Sequence, residues 1–336
     1  MNLPNDLALI YTEVPALFAV SVFVIGLVVG SFLNVVIHRL PIMLERDWRA
    51  QANDILQGDQ APAMASGTAA AGTAAAGTAA AGTAAAGTAT AAVATAGTGS
   101  FNLWTPRSAC PQCGTPIKAW HNVPVFGWLL LRGRCAACAA PISRRYPVVE
   151  LATAVLSAAV AWHFGYGANA ACALLLTWAL IALTGIDIDH QLLPDGITLP
   201  LLWAGLLAAV VIGPTLGASL PVAPREAIIG AVAGYLSLWL VFHVFRLVTG
   251  KEGMGYGDFK LYAALGAWLG WKILPLVILL SAASGAVLGL AMIALRGRDR
   301  AAPMPFGPYL AAAGWLAMLY GNGLMDAYLR LAGLDR

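Results

Sequence analysis

The chain has 336 residues, of which 60% are apolar and 10% charged, with a formal net charge of +3 and a mean hydropathy of +0.76. A soluble domain carries about a quarter charged residues, so this composition excludes both a soluble globular protein and a disordered one. The positive charge is too small and too diluted to form a nucleic-acid-binding stripe; no nucleic-acid partner is expected, and the lipid bilayer is the expected solvent.

Residues 1–13 contain Asp6 and Glu13 but no Lys or Arg, so they lack the basic leader of a signal peptide. They are read as a periplasmic N-terminus ahead of a retained first span at 14–37. A spanning helix needs about 20 apolar residues. The stretch 151–186 has no Asp, Glu, Lys or Arg, is too long for one helix, and carries Gly165-Tyr166-Gly167 near its middle; it predicts two. Further spans are expected at 196–212, 227–245, 273–295 and 305–320. The piece 261–271 is short and lies between Lys260 and Lys272, whose stems can snorkel to opposite interfaces, so it reads as a thin span or a re-entrant element.

Counting that piece gives eight spans. With the N-terminus outside, the basic loops at 39–49, 107–145, 246–260 and 296–300 then face the cytoplasm, leaving Arg225, Lys272, Arg330 and Arg336 outside. That asymmetry obeys the positive-inside rule. The predicted fold class is therefore an all-α polytopic membrane protein of about eight transmembrane helices with a small cytoplasmic zinc-ribbon-like subdomain. A membrane domain of seven helices is expected over 148–320, followed by a C-terminal tail at 321–336.

The long polar region 38–147 is the expected cytoplasmic loop. From Gly67 it repeats Gly-Thr-Ala-Ala-Ala; a glycine every fifth residue costs a helix about 1 kcal/mol each, and nothing large is available to bury. Residues 61–99 are read as a flexible linker. A phosphate-binding loop would need a flanking strand and a Lys. Beyond it, Cys110-Pro-Gln-Cys113 and Cys135-Ala-Ala-Cys138 form two C-x-x-C knuckles separated by 21 residues, the spacing with which four thiolates surround a tetrahedral Zn²⁺. A reducing cytosol disfavours disulfides, and a redox pair would need a βαβ context. With four sulfur ligands no position is left for water, so the metal at 105–145 should be structural. Cys172, alone in an apolar helix, reads as a packing residue.

Acidic residues beside hydrocarbon are costly, and their default reading is functional. Asp187, Asp189 and Asp195 sit at the inner end of the third span, and Asp258 follows Gly255-Tyr256-Gly257 just before the sixth. Between Asp187 and Asp258 the chain crosses outward once and returns once, so both carboxyls face one side at similar depth. Two adjacent carboxyls share a proton, so one can act as acid while the other activates water. The glycines beside Asp258 leave room for a substrate backbone or a partner helix. Simpler roles are open to the others: Asp195 as a helix cap, Asp189 and His190 in local hydrogen bonds or facing the headgroups, Glu150 as an N-terminal helix charge, and Asp258 itself in a surface ion pair with Lys260.

Gly30-Ser-Phe-Leu-Asn-Val-Val-Ile-His-Arg-Leu-Pro41, the paired Cys knuckles, Arg145-Tyr-Pro-Val-Val-Glu150, Asp187-Ile-Asp-His-Gln-Leu-Leu-Pro-Asp195 and Gly253-Met-Gly-Tyr-Gly-Asp-Phe-Lys260 together resemble the bacterial type IV prepilin peptidases, aspartic peptidases of the Gly-x-Gly-Asp type. The resemblance runs from about residue 20 to the end. It implies a bifunctional inner-membrane enzyme that cuts the basic leader from type IV prepilins and type II secretion pseudopilins at the cytoplasmic face, then methylates the new amino terminus with S-adenosylmethionine. Carried over by motif, the catalytic aspartates are Asp187 and Asp258, and the zinc ligands are Cys110, Cys113, Cys135 and Cys138. The Gly-Thr-Ala repeat departs from the family pattern as an insertion, and the stretch between Asp195 and Asp258 is longer than usual. No glycine-rich nucleotide loop follows a strand, so methyl transfer rests on the resemblance alone; Asn34, His38, Arg39 and Glu150 are its candidate residues. Competing classes are a presenilin-type intramembrane aspartyl protease of other substrates, a proton-relaying transporter and a non-enzymatic secretion scaffold.

Overall fold

A computed structural model describes residues 3–58, 101–212, 220, 222–251, 253–296, 304–331 and 333. The repeat linker expected at 61–99 lies outside these residues, as does most of the outer loop near 214–224. The described chain is built of helices: α1 Leu3–Glu13, α2 Pro15–Gly58, a short α3 Phe126–Leu130, α4 Arg145–Phe164, α5 Ala168–His190, α6 Asp195–Val211, α7 Pro224–Thr249, α8 Tyr256–Leu269, α9 Leu274–Arg296 and α10 Gly307–Leu331.

A helix stands at each of the eight positions expected to span. Among the described residues five segments are long and apolar enough to cross a membrane, Pro15–Leu56, Arg145–Phe164, Ala168–His190, Pro224–Thr249 and Trp271–Leu295, and Asp195–Val211 is a shorter apolar helix. The split predicted at 165–167 is found: Gly165, at φ +67°, caps α4, and α5 begins three residues later. Three features depart from the sequence reading. Residues 3–13 are helical; α2 does not stop at Ile37 but passes through Pro41 to Gly58, 44 residues in all; and α10 runs on to Leu331, through much of the stretch expected as a C-terminal tail at 321–336.

Two units divide the chain, residues 42–107 and residues 1–41 with 108–336. In the first, Arg49 pairs with Glu45 one turn earlier at 2.6 Å, and the Arg46 guanidinium lies 4.2 Å over the Phe101 ring. This i, i+4 pairing supports a helix whose surface is no longer apolar.

In the second unit the short α8 is the centre. Its 14 residues rise about 21 Å, less than the hydrocarbon core of about 30 Å, and residues 261–267 are buried along with Phe259 and Trp268. Helices α6, α7 and α10 surround it. Small residues make this possible in lipid, where helices associate by close packing. A Cβ at Gly230 of α7 would lie 2.1 Å from the Gly266 carbonyl oxygen of α8, and one at Gly234 would lie 2.7 Å from that of Tyr262. The Trp268 indole donates to the Leu201 carbonyl at 2.9 Å, tying α8 to α6. The element read as a thin span or a re-entrant piece is therefore the buried core helix of the bundle. It delivers Asp258 at its first turn.

Candidate active site

Asp187 lies in the last turn of α5. That helix ends where Gln191 takes a left-handed conformation at φ +52° and returns its N–H to the Asp187 carbonyl at 2.9 Å. Asp258 lies in the first turn of α8, its N–H bonded to the Gly255 carbonyl at 3.2 Å. Both side chains are buried, at 5% and 7% exposure. The residue between their helices is Leu193, in the link from α5 to α6: a Cβ at Gly257 would meet the Leu193 Cβ at 2.7 Å. The second glycine of Gly255-x-Gly257 is thus needed for a close approach, by Leu193 rather than by a helix.

Two ion pairs frame this pair of carboxyls. Arg145, in the first turn of α4, pairs with Asp189 and also donates to the Gly185 carbonyl at 3.1 Å; it grips the turn that carries Asp187. Lys260 pairs with both oxygens of Asp195, at 2.6 and 2.7 Å. Two simpler sequence readings are corrected here. Lys260 joins Asp195, not Asp258, because residues two apart on a helix do not face each other. Asp195 is not the cap of α6, since Pro194 holds that position and Asp195 is spent on the lysine.

One contact of Asp187 has no clear signal in the sequence. The Gly307 N–H, at the start of α10, donates to Asp187 Oδ2 at 2.9 Å. The signal available was a Pro-Phe-Gly-Pro run at 305–308 opening an apolar helix.

The cysteines form a second centre. Their four Sγ atoms lie within 4.8 Å of one another, with 3.8 Å between Cys110 and Cys138 and 4.0 Å between Cys113 and Cys135. A tetrahedron of thiolates about 2.3 Å from zinc has edges of about 3.8 Å, so the donor set fits that ion. Each pair sits on a matching turn. Gly114 and Ala139 return their N–H groups to the Cys110 and Cys135 carbonyls at 2.9 Å, and bridges join Ala109 to Pro116 and Arg134 to Pro141. The Thr115 hydroxyl and backbone beside Cys113 pull its thiol down to about 6, toward the thiolate form that binds metal.

The residues suggested for methyl transfer are placed differently. Glu150 is buried and accepts the Val125 N–H at 2.7 Å. It lies in the second turn of α4, not at the helix start, and it joins the cysteine-bearing segment to that helix. The Asn34 amide donates to the Tyr146 carbonyl at 3.1 Å, while His38 is exposed.

The profile of the Bacterial Peptidase A24 N-terminal domain matches residues 24–164, and that of the Type IV leader peptidase family matches residues 174–290. A Prepilin leader peptidase/N-methyltransferase of Stutzerimonas stutzeri is 50% identical over 320 residues, covering 95% of this chain and 96% of that protein. The chain belongs to the type IV leader peptidase family. Enzymes of the same name from Aeromonas hydrophila, 49% identical over 315 residues with 94% and 95% covered, and from Burkholderia pseudomallei, 46% identical over 311 residues with 92% and 87% covered, extend the family likeness. No solved structure matches the chain. Within the leader peptidase family profile fall Asp187, Leu193 and Asp258; Gly307 lies beyond its end.

Proposed function

We propose that this chain hydrolyses the bond between leader and mature segment in type IV prepilins and type II secretion pseudopilins, at the cytoplasmic face of the bacterial inner membrane, and methylates the amino terminus so released. Asp187 and Asp258 are the hydrolytic pair. The observation that supports the reading is that two buried carboxyls, from helices distant in sequence, flank one leucine: a Cβ at Gly257, beside Asp258, would meet Leu193 Cβ at 2.7 Å, and one at Gly307, whose N–H bonds Asp187, would lie 3.1 Å from Leu193 Cδ2. A charged group in such a place is costly without a function.

With one proton shared between them, one carboxylate takes a proton from water as its oxygen adds to the scissile carbonyl carbon. The other gives its proton to the carbonyl oxygen. The tetrahedral species then collapses: the C–N bond breaks, the leaving nitrogen gains a proton, and a carboxyl and an amine result. A prepilin fits this depth, because its basic leader stays among cytoplasmic charges while the apolar helix that follows lies in lipid. Position along the membrane normal selects the bond.

Cys110, Cys113, Cys135 and Cys138 would hold a Zn²⁺ that orders the segment 105–145. With all four ligands sulfur, its contribution is structural: it stands in for an apolar core. S-adenosylmethionine is the methyl donor the family implies.

The test is prepilin cleavage by the full-length enzyme carrying Asp187→Asn or Asp258→Asn. Each change should lower cleavage by about 10³-fold or more, as loss of a group acting in a catalytic unit does, while methylation of an already cleaved pilin peptide persists. Cleavage within a few fold of wild type in either variant defeats the reading.

A further inference from the structure

The start of α10 is built to spend one N–H on one side chain. Tyr309 and Leu310 give their N–H groups to the Phe306 carbonyl at 3.1 Å, and Pro308 has none to give. The first N–H groups of a helix have no partner within it. Here the Gly307 N–H reaches Asp187 Oδ2, 120 residues away in sequence and in a buried setting.

A side chain at position 307 would also push the Asp187 carboxyl out of place. A Cβ there would lie 2.6 Å from Asp187 Oδ2 and 3.1 Å from Leu193 Cδ2. Leu193 in turn fills the space beside Gly257, so one leucine packs on the glycine preceding Asp258 and on the glycine holding Asp187.

We infer that Gly307 is a positioning residue for peptide hydrolysis: its amide holds Oδ2 of Asp187, leaving Oδ1 for the attacking water, and its missing side chain lets that bond form. The inference rests on the reading of Asp187 and Asp258 as the hydrolytic pair. A carboxylate that accepts from a rigid backbone donor is fixed in one rotamer. Catalytic groups must be held to about 0.5 Å, and a displacement of about 1 Å costs about 10²-fold.

The test uses the full-length enzyme in lipid, as wild type, Asp187→Asn, Gly307→Ala, and a form in which glycolate replaces Gly307. The last turns the 306–307 amide into an ester, deleting the N–H without adding a side chain. For each, kcat and KM of prepilin cleavage are measured across pH, with methylation of a pre-cleaved pilin peptide as the check on folding. Gly307→Ala should lose about 10²-fold in kcat. The ester form should lose about tenfold or more, with KM within about threefold, a displaced pH profile of kcat and methylation retained.

The ester form decides even where Gly307→Ala does not fold. Wild-type kcat and pH profile in the ester form, with Asp187→Asn inactive, overturn the role of Gly307 alone. An active Asp187→Asn overturns that role together with the assignment of the pair.

Discussion

The aspartate site and the cysteine centre solve the same problem, fixing a few polar atoms in space, by opposite means. Cys110, Cys113, Cys135 and Cys138 are held by turns of four or five residues and lie in a segment with little buried apolar surface: Cys110 is buried, Cys135 half-buried, Cys113 and Cys138 exposed. Asp187 and Asp258 are held by whole helices, through contacts such as Gly266 on Gly230 and Gly307 on Asp187. The cysteine centre would take its shape from the proposed ion. A packing-built site has its shape from the bundle, and its weak points are the close backbone contacts that hold the helices together.

The difference can be broken at either end. Removing one ligand, Cys110→Ser, should have the largest effect on stability, because binding energy is folding energy in a small zinc subdomain, about 10 kcal/mol or more. Zinc measured by mass spectrometry should fall to background, and limited proteolysis should open the segment 105–145 while the helices of the bundle stay protected. Retention of zinc, or unchanged protection of 105–145, would show that the segment does not depend on the ion.

The bundle should fail elsewhere. Gly266→Val puts a side chain where 2.1 Å separates a Cβ from the Gly230 carbonyl oxygen. It should destabilise the membrane unit by about 3 kcal/mol, as overpacking does, and lower cleavage with it, leaving bound zinc unchanged. Thermal unfolding in detergent, followed together with zinc content, reads both.

The smallest effect belongs to the frame. Lys260→Met deletes a pair whose aspartate is more than half exposed, worth about 0–1 kcal/mol. Cleavage should stay within about threefold of wild type and the melting temperature within a few degrees. A loss as large as that of Asp258→Asn would place Lys260 in the chemistry.

The same division explains what could be read from the sequence. The cysteine spacing is local, so the donor set is legible in one line of text. The carboxyls stand out in the sequence for a different reason: acids beside hydrocarbon are rare. The contact of Gly307 with Asp187 is a backbone bond across 120 residues, which no periodicity announces. Helix α2 ran on past Ile37 because charged i, i+4 pairs can carry a helix that hydropathy does not mark. The helix at 256–269 was ambiguous because its length suits neither a full span nor a loop; burial on all sides resolved it. Glu150 was misplaced because its partner is the Val125 N–H, a tertiary bond, not the helix start.

The central claim is that residues 187 and 258 are neighbours, and a short bifunctional thiol reagent tests it most directly. In membranes containing the full-length Asp187→Cys/Asp258→Cys variant, peptide mapping should find the two positions linked. If both positions take the monofunctional form of the reagent, yet no 187–258 link forms with the bifunctional one, the pair is not a pair and the account fails.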